Sequence, residues 1–282
     1  MKRACVIGWP IKHSRSPLIH GYWLKTYGIE GSYEKQPVHP DIAPTFFRTL
    51  VERGFIGCNV TVPLKEIAFR SCNEIDIVAA GIGAVNTLWL ADGKLHGTNT
   101  DHYGFMTHFH ASAPAWLPDD GPIAVLGAGG AARAIIAGLA LAKSASGGVV
   151  PKIRLFNRTL ARAEELAYPW QGLVEAMPWE RRVECTREVR AVINTTILGM
   201  AGAKPLDFPV DHLPANTIVA DIVYVPLRTE LLKRAEARGL VTVDGLGMLL
   251  HQAVPGFEKW FGVRPEVTGE LRRLLVADIE AA

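Results

Sequence analysis

Ile123-Ala-Val-Leu126 runs directly into Gly127-Ala128-Gly129-Gly130-Ala131-Ala132, and the stretch from Arg133 to Lys143 reads as helical. A strand, a tight glycine turn and a helix in this order suit a dinucleotide pyrophosphate. The first glycine lets the chain turn sharply, and the second lets the backbone approach phosphates. Ala132 is small enough for close helix–strand packing. The helix start then offers free N–H groups and the positive end of its dipole. A cofactor site that begins at residue 123 leaves a whole preceding segment for another task. Glycine turns after buried strands are common, so the motif needs support from its neighbours.

The next apolar run, Ile153-Arg-Leu-Phe156, ends in Asn157-Arg158-Thr159. A site selective for NAD places Asp or Glu here, against the ribose 2′-hydroxyl. This chain places Asn157 and the cations Arg158 and Arg162, which suit a 2′-phosphate. The expected cofactor is therefore NADP(H). The plainer alternative is a solvated helix face, with Glu164 or Glu165 pairing with the arginines.

Outward from this stretch, short β-like runs alternate with helical ones along all 282 residues, which predicts an α/β fold of one or two domains. The first segment offers strands at 4–8, 32–37 and 57–62, helices at 17–27, 42–53 and 75–80, and a hairpin of 85–90 with 94–97 around Asp92-Gly93. A helix is expected over 101–110. The second segment offers strands at 123–126, 153–157, 189–194, 217–221 and 240–244, with 147–148 and 170–178 as loops. The chain from Met248 onward reads as mostly helical.

Composition sets bounds. The apolar fraction is 49%, the charged fraction 21% and the net charge +2, which gives no case for nucleic acid. No apolar run approaches the ~18 residues of a membrane span. The basic pair Lys2-Arg3 precedes an apolar stretch that stops at Pro10, so a first strand is expected there and not a signal peptide. Cys5, Cys58, Cys72 and Cys185 show no CxxC spacing, so a reducing cytoplasm and structural thiols are expected. The nine histidines form no HExxH, and no metal is expected.

The densest polar cluster is Gly57-Cys-Asn59-Val-Thr61-Val-Pro63-Leu-Lys65. A strand ends at Thr61, Pro63 blocks its continuation, and Lys65 opens a helix. The helix dipole disfavours a cation there, which suits an amine that exchanges a proton. A surface lysine beside Glu66 is the plainer reading. Asn86 precedes a strand in Gly83-Ala-Val-Asn86-Thr87, and Asp101 opens a helix in Asn99-Thr100-Asp101, where it could simply be a cap. Ser14 and Ser16 sit in a loop before Pro17, where Ser16 could likewise be a cap. Taken together, these hydroxyls, amides, one amine and one carboxylate at strand ends suit a small polyhydroxylated acid.

These segments resemble the shikimate dehydrogenase family. The resemblance runs through His13-Ser-Arg-Ser-Pro17, Asn59-Val-Thr-Val-Pro-Leu-Lys65, Gly83-Ala-Val-Asn-Thr87 and Asn99-Thr-Asp101. It continues through Gly127-Ala-Gly-Gly-Ala131, Asn157-Arg-Thr159, Asn194-Thr-Thr-Ile-Leu-Gly-Met200, Asp221-Ile-Val-Tyr224 and Gly245-Leu-Gly-Met-Leu-Leu-His-Gln252. It implies two domains: an N-terminal α/β substrate domain (1–101) completed by C-terminal helices (245–282), and a Rossmann-like NADP-binding domain (102–244). The implied reaction is the reversible reduction of 3-dehydroshikimate by NADPH in aromatic amino acid biosynthesis, in the cytoplasm, by a monomer or homodimer. Lys65 and Asp101 would be the catalytic pair. Ser14, Ser16, Thr61, Asn86, Asp101, Tyr224 and Gln252 would hold the substrate. Gly127, Ala128, Gly129, Gly130 and Ala131 would cradle the pyrophosphate. Asn157, Arg158, Thr159 and Arg162 would take the 2′-phosphate end, with Ile222 and Gly245 at the nicotinamide.

Two departures are local: Gly21 follows His20 where the family usually has Asn, and His102 follows Asp101. Rival readings are a quinate/shikimate paralogue using NAD, an NADP-dependent folate dehydrogenase, and a non-catalytic NADP-binding regulatory module. Arg158 argues against the first and the hydroxyl set against the second. The third would not need Lys65, Asp101 and Gln252 together.

Overall fold

The computed structural model describes residues 1–116, 121–146 and 152–281, with 142–146 described by backbone alone. The loop expected at 147–148 lies outside the described residues. The chain divides into two compact units: Met1–Asp101 with Leu250–Asp278, and His102–Leu249 with Ile279–Ala282.

The first unit holds strands β1 (Lys2–Gly8), β2 (Gly31–Pro37), β3 (Gly57–Val60), β4 (Glu74–Ile75), β5 (Thr87–Ala91) and β6 (Lys94–Thr98). They form one sheet in the order β2-β1-β3-β5-β6-β4. β1 lies parallel to β2 and β3, whereas β5 runs antiparallel to β3 and to β6. β1 is buried from Ala4 to Gly8, which is why it reads as an unbroken apolar run. The β5–β6 hairpin turns at Asp92 (φ 51°) and Gly93 (φ 72°), the left-handed pair that a two-residue turn requires.

Helices α1 (Ser16–Thr26), α2 (Ala43–Arg48), α3 (Lys65–Ser71) and α4 (Ile77–Ile82) connect these strands. Two expectations need correction. The helix expected over 42–53 is a 3₁₀ turn at Pro40–Ile42 followed by α2, which stops at Arg48. The helix expected at 75–80 begins only at Ile77, because the Asp76 carboxylate accepts from Ala79 N–H and caps it there. Residues 74–75 instead pair with β6.

The second unit is a fully parallel sheet of β7 (Ile123–Leu126), β8 (Ile153–Asn157), β9 (Val174–Pro178), β10 (Ala191–Asn194), β11 (Ile218–Asp221) and β12 (Val241–Val243). Its order is β12-β11-β10-β7-β8-β9. Alternate residues enter different cores. Ile123, Val125 and Ile193 pack on one face, Ala124, Leu126 and Val192 on the other. Helices α5 (Asp101–Ser112), α6 (Gly130–Ser146), α7 (Leu160–Ala167) and α8 (Glu230–Ala237) complete the middle of the chain. α9 (Gly245–Phe261) and α10 (Gly269–Glu280) follow.

β9 corrects a third expectation, since 170–178 was expected to be a loop. Only Val174 and Met177 of Val-Glu-Ala-Met-Pro are buried, so its periodic signal is weak. Pro178 is tolerated because β9 is an edge strand paired only with β8.

Candidate functional site

Sheet register gathers the polar residues of the first unit at one edge. β1 and β3 are parallel neighbours, so the loops after Gly8 and Val60 leave from the same end. Because β5 and β6 run antiparallel, Asn59 lies opposite Thr87, and Thr87 opposite Thr98. Asn86, before β5, and Asp101, after β6, therefore arrive at the end of β3 that leads into Thr61 and Lys65.

Lys65 is the first residue of α3, and its ammonium forms an ion pair with Asp101 Oδ2. Asn86 Nδ2 donates to Asp101 Oδ1 at 2.8 Å. Asp101 is not spent as a helix cap: it is the first residue of α5 and its two carboxylate oxygens go to Lys65 and Asn86, while its own N–H donates to Asn99 Oδ1 at 3.0 Å. Asn99 Nδ2 in turn donates to the Ala84 carbonyl at 3.1 Å. The pair is only partly open, with side-chain exposures of 23% for Lys65 and 10% for Asp101.

Around the pair, Asn86 Oδ1 accepts from Thr100 N–H at 2.8 Å and from the Thr87 hydroxyl at 2.9 Å. The Thr100 hydroxyl donates to the Gln252 carbonyl at 2.8 Å, which brings α9 beside the Asp101 turn. Ser14 Oγ lies 3.3 Å from Ser16 Oγ, and Ser16 is the first residue of α1. The cap position is Arg15, without a side-chain capping bond, so Ser16 does not cap α1, and its N–H donates to Ser14 Oγ at 3.4 Å. Thr61 N–H donates to the Ile7 carbonyl, which ties its turn to β1. Tyr224 belongs to the other unit, in the loop after β11.

Two buried groups in this unit are strongly perturbed. His20 is fully enclosed and neither ring nitrogen has a hydrogen-bond partner. Its ring stacks on Tyr33 at 3.9 Å, and burial pushes its pKa down to about 3. Burial also pushes the Tyr33 phenol well above its ordinary value.

In the second unit, β7 sits between β8 and β10, so the connections leave its end in opposite directions. That is the switch point where open α/β sheets bind ligands. Gly127 turns with φ 102°, and a Cβ there would lie 2.7 Å from Thr196 Cγ2. A Cβ at Gly129 or Gly130 would meet nothing within 4 Å, so open space lies over the turn at the start of α6. This is the cradle that a pyrophosphate needs, and the residues present fit a dinucleotide.

Ala128 N–H donates to Asn157 Oδ1 at 3.3 Å, and Asn157 Nδ2 donates to the Thr159 carbonyl at 2.8 Å. Asn157 thus braces the glycine turn against the end of β8. Arg158, Thr159 and Arg162 are exposed beyond it. Glu165 pairs with Arg133, and among the described residues no carboxylate pairs with Arg158 or Arg162. Gly245 opens α9 where an added Cβ would lie 2.2 Å from the Ile222 carbonyl oxygen, so only glycine lets these backbones meet.

Sequence reasoning gave no role to Asn194 or Asp221. Asp221 is buried at the end of β11 and accepts from Asn194 Nδ2 (2.9 Å), Val223 N–H (3.0 Å) and the Thr229 hydroxyl (2.7 Å). Burial raises its pKa to about 6, against the pull of these donors. Asn194 Oδ1 shapes the next turn by accepting from Thr196 N–H, and Thr195 Oγ1 donates to the Leu126 carbonyl. The signal was a polar residue ending each of two buried apolar strands. Among the described residues, no three His, Cys, Asp or Glu side chains converge as a metal set, and no helix is long and apolar enough to cross a membrane.

With this geometry in place, the similarities to known proteins are specific. Residues 6–88 match the shikimate dehydrogenase substrate binding domain, and residues 245–269 match the shikimate 5′-dehydrogenase C-terminal domain. The NADP(+)-dependent shikimate dehydrogenase of Azorhizobium caulinodans is 51% identical over 281 residues, covering 100% of this chain and 98% of that one. A crystal structure of shikimate 5-dehydrogenase from Thermus thermophilus, in complex with NADP(H) and shikimate, aligns with a TM-score of 0.85 at 35% identity. The alignment covers 98% of this chain and 100% of that one. Quinate dehydrogenase from Corynebacterium glutamicum, in complex with NAD, shares the architecture at a TM-score of 0.88 but only 28% identity, over 98% and 99% of the two chains. Full-length identity of this order settles the family: the chain belongs to the shikimate dehydrogenases.

Proposed function

We propose that this chain catalyses the reversible, NADP-dependent reduction of 3-dehydroshikimate to shikimate in aromatic amino acid biosynthesis. The observation that carries the reading is the Lys65–Asp101 ion pair at a strand-end edge lined with amides and hydroxyls. The full-length similarity to NADP(+)-dependent shikimate dehydrogenases supports both substrate and cofactor. Residues 1–101 with 245–282 serve as the substrate domain and 102–244 as the NADP domain. The enzyme works in the cytoplasm, as a monomer or homodimer.

Gly127, Ala128, Gly129, Gly130 and Ala131 hold the pyrophosphate, and Asn157, Arg158, Thr159 and Arg162 form the 2′-phosphate end. Ile222 and Gly245 line the nicotinamide. When bound, NADPH supplies the hydride that reduces the substrate carbonyl carbon. Lys65 gives a proton to the carbonyl oxygen, and takes it back from the hydroxyl in the oxidative direction. Asp101 holds the amine through one of its three N–H donors and leaves the others for substrate. Proton transfer by a positioned group of this kind contributes ~10²–10⁴-fold to the rate. Ser14, Ser16, Thr61, Asn86, Tyr224 and Gln252 hold the acid and its hydroxyls. Their polar atoms reject analogues that lack a matching group.

Initial rates followed at the NADPH absorbance band test the reading, with shikimate and NADP⁺ against quinate and NAD⁺ in parallel. Turnover confined to shikimate with NADP⁺ is expected. Comparable turnover of quinate or with NAD⁺ would move the chain to the broader paralogue. NADP⁺ binding without any turnover would leave a regulatory module.

A further inference from the structure

Four side-chain hydrogen bonds in the first unit run in one direction and end on the Asp101 carboxylate. The Tyr33 hydroxyl donates to Asn59 Oδ1 at 2.6 Å, and Asn59 Nδ2 donates to Thr87 Oγ1 at 3.1 Å. Thr87 donates to Asn86 Oδ1 at 2.9 Å, and Asn86 Nδ2 donates to Asp101 Oδ1 at 2.8 Å.

Backbone groups fix the sense of both amides. Asn59 Nδ2 also lies 3.3 Å from the Asn86 carbonyl, which can only accept. Asn86 Oδ1 lies 2.8 Å from Thr100 N–H, which can only donate. With Asn59 Oδ1 turned to Tyr33, the phenol must donate. With an Asn59 N–H on Thr87 Oγ1, the Thr87 proton goes to Asn86 Oδ1 at 2.9 Å, a closer acceptor than Thr100 Oγ1 at 3.4 Å, whose own proton goes to the Gln252 carbonyl at 2.8 Å. The linking residues Tyr33, Asn59, Thr87 and Asn86 are all buried, so water does not compete for the links. Burial keeps the Tyr33 phenol protonated, and so a donor, across the working range. None of the polar side chains between Tyr33 and Asp101 carries a charge.

We infer that Tyr33 and Thr87 are positioning residues for the proton transfer: acting through Asn59 and Asn86, they fix the orientation of the Asp101 carboxylate and so its hold on Lys65. Each donor in such a chain polarises the next, so the effect of Tyr33 reaches Asp101 although no atom of it touches the pair. The inference rests on the reading of Lys65 and Asp101 as the proton-handling pair.

The test uses Tyr33→Phe, Thr87→Val and the double variant in the full chain, with thermal unfolding to establish that each folds. Two readouts are taken: kcat and KM for shikimate oxidation, and the rate at which acetic anhydride acetylates the Lys65 amine, followed by peptide mass. The second needs no turnover. Thr87→Val is expected to lower kcat about fivefold, the equivalent of roughly one hydrogen bond, with KM for NADP⁺ unchanged. Acetylation of Lys65 speeds up by a similar factor as the carboxylate loosens its grip. Tyr33→Phe moves both readouts in the same direction, and the double variant matches Thr87→Val alone, because the Tyr33 contribution passes through Thr87.

Losses that multiply in the double variant would show that Tyr33 acts by packing and would overturn the inference. So would Thr87→Val with wild-type kcat and wild-type acetylation. Absence of wild-type turnover, with the acetylation changes intact and non-additive, would refute the assigned reaction and support the positioning chain.

Discussion

Replacing His20 by Phe should remove a large part of the acid sensitivity of the first unit. His20 is enclosed by Trp23, Tyr33, Phe257 and Trp260, none of them charged, and its two nitrogens have no hydrogen-bond partner. Burial holds its pKa at about 3 in the folded chain, against an ordinary histidine value of 6.5. A histidine depressed on folding binds its proton first in the unfolded state. Its contribution is neutral above pH ~6.5 and turns destabilising as pH falls towards ~3. At ~1.36 kcal/mol per unit, the loss is about 2 kcal/mol between pH 7 and pH 5, and about 3 kcal/mol by pH 4.

Phe keeps an aromatic ring in the cage and removes the titrating group. It carries its own packing offset, but that offset is the same at every pH. The readout is amide hydrogen exchange of β1, whose buried residues Ala4–Ile7 open only when the unit unfolds. Protection of wild type relative to His20→Phe should fall about thirtyfold from pH 7 to pH 5. Equal pH dependence in the two proteins would refute the claim that His20 is held neutral by burial.

Asp221 predicts the opposite slope in the second unit. Its pKa is raised to about 6, so its contribution to stability falls as pH rises from about 4 to 6, by up to ~3 kcal/mol. Asp221→Asn keeps the Oδ1 contacts and should flatten that slope in exchange of β11 amides; an unchanged slope would place the titration elsewhere. Arg158→Ala with Arg162→Ala should raise KM for NADP⁺ roughly ten- to a hundredfold and leave KM for NAD⁺ unchanged. An equal rise for both nucleotides would remove these arginines from the 2′-phosphate.

The parts of this structure legible in the sequence are those where one physical cause dominates over a short stretch. β7, its glycine turn and α6 follow from a doubly buried strand meeting residues without side-chain bulk. β8 begins at Ile153, where the apolar run starts, and ends at Asn157, where it stops. Strand β9 was illegible because an edge strand with two buried residues carries little periodic signal.

At the candidate site, the ambiguity between a capping and a functional Asp101 was real in the sequence. It is resolved by residues distant in sequence, since Asp101 opens α5 and its carboxylate is taken by Lys65 and Asn86. The Tyr33–Asn59–Thr87 links were out of reach because they join strands separated by 26 and 28 residues. Polar residues on buried strands announce that partners exist without naming them. Likewise, Glu165 stood near Arg162 in the sequence, yet it pairs with Arg133 from α6.

The central claim, that Lys65 moves the proton, is tested most directly by Lys65→Ala assayed for shikimate oxidation with NADP⁺ under saturating conditions. The account predicts a kcat lower by at least ~10²–10⁴-fold with KM for shikimate little changed. A variant that retains near-normal kcat would contradict it.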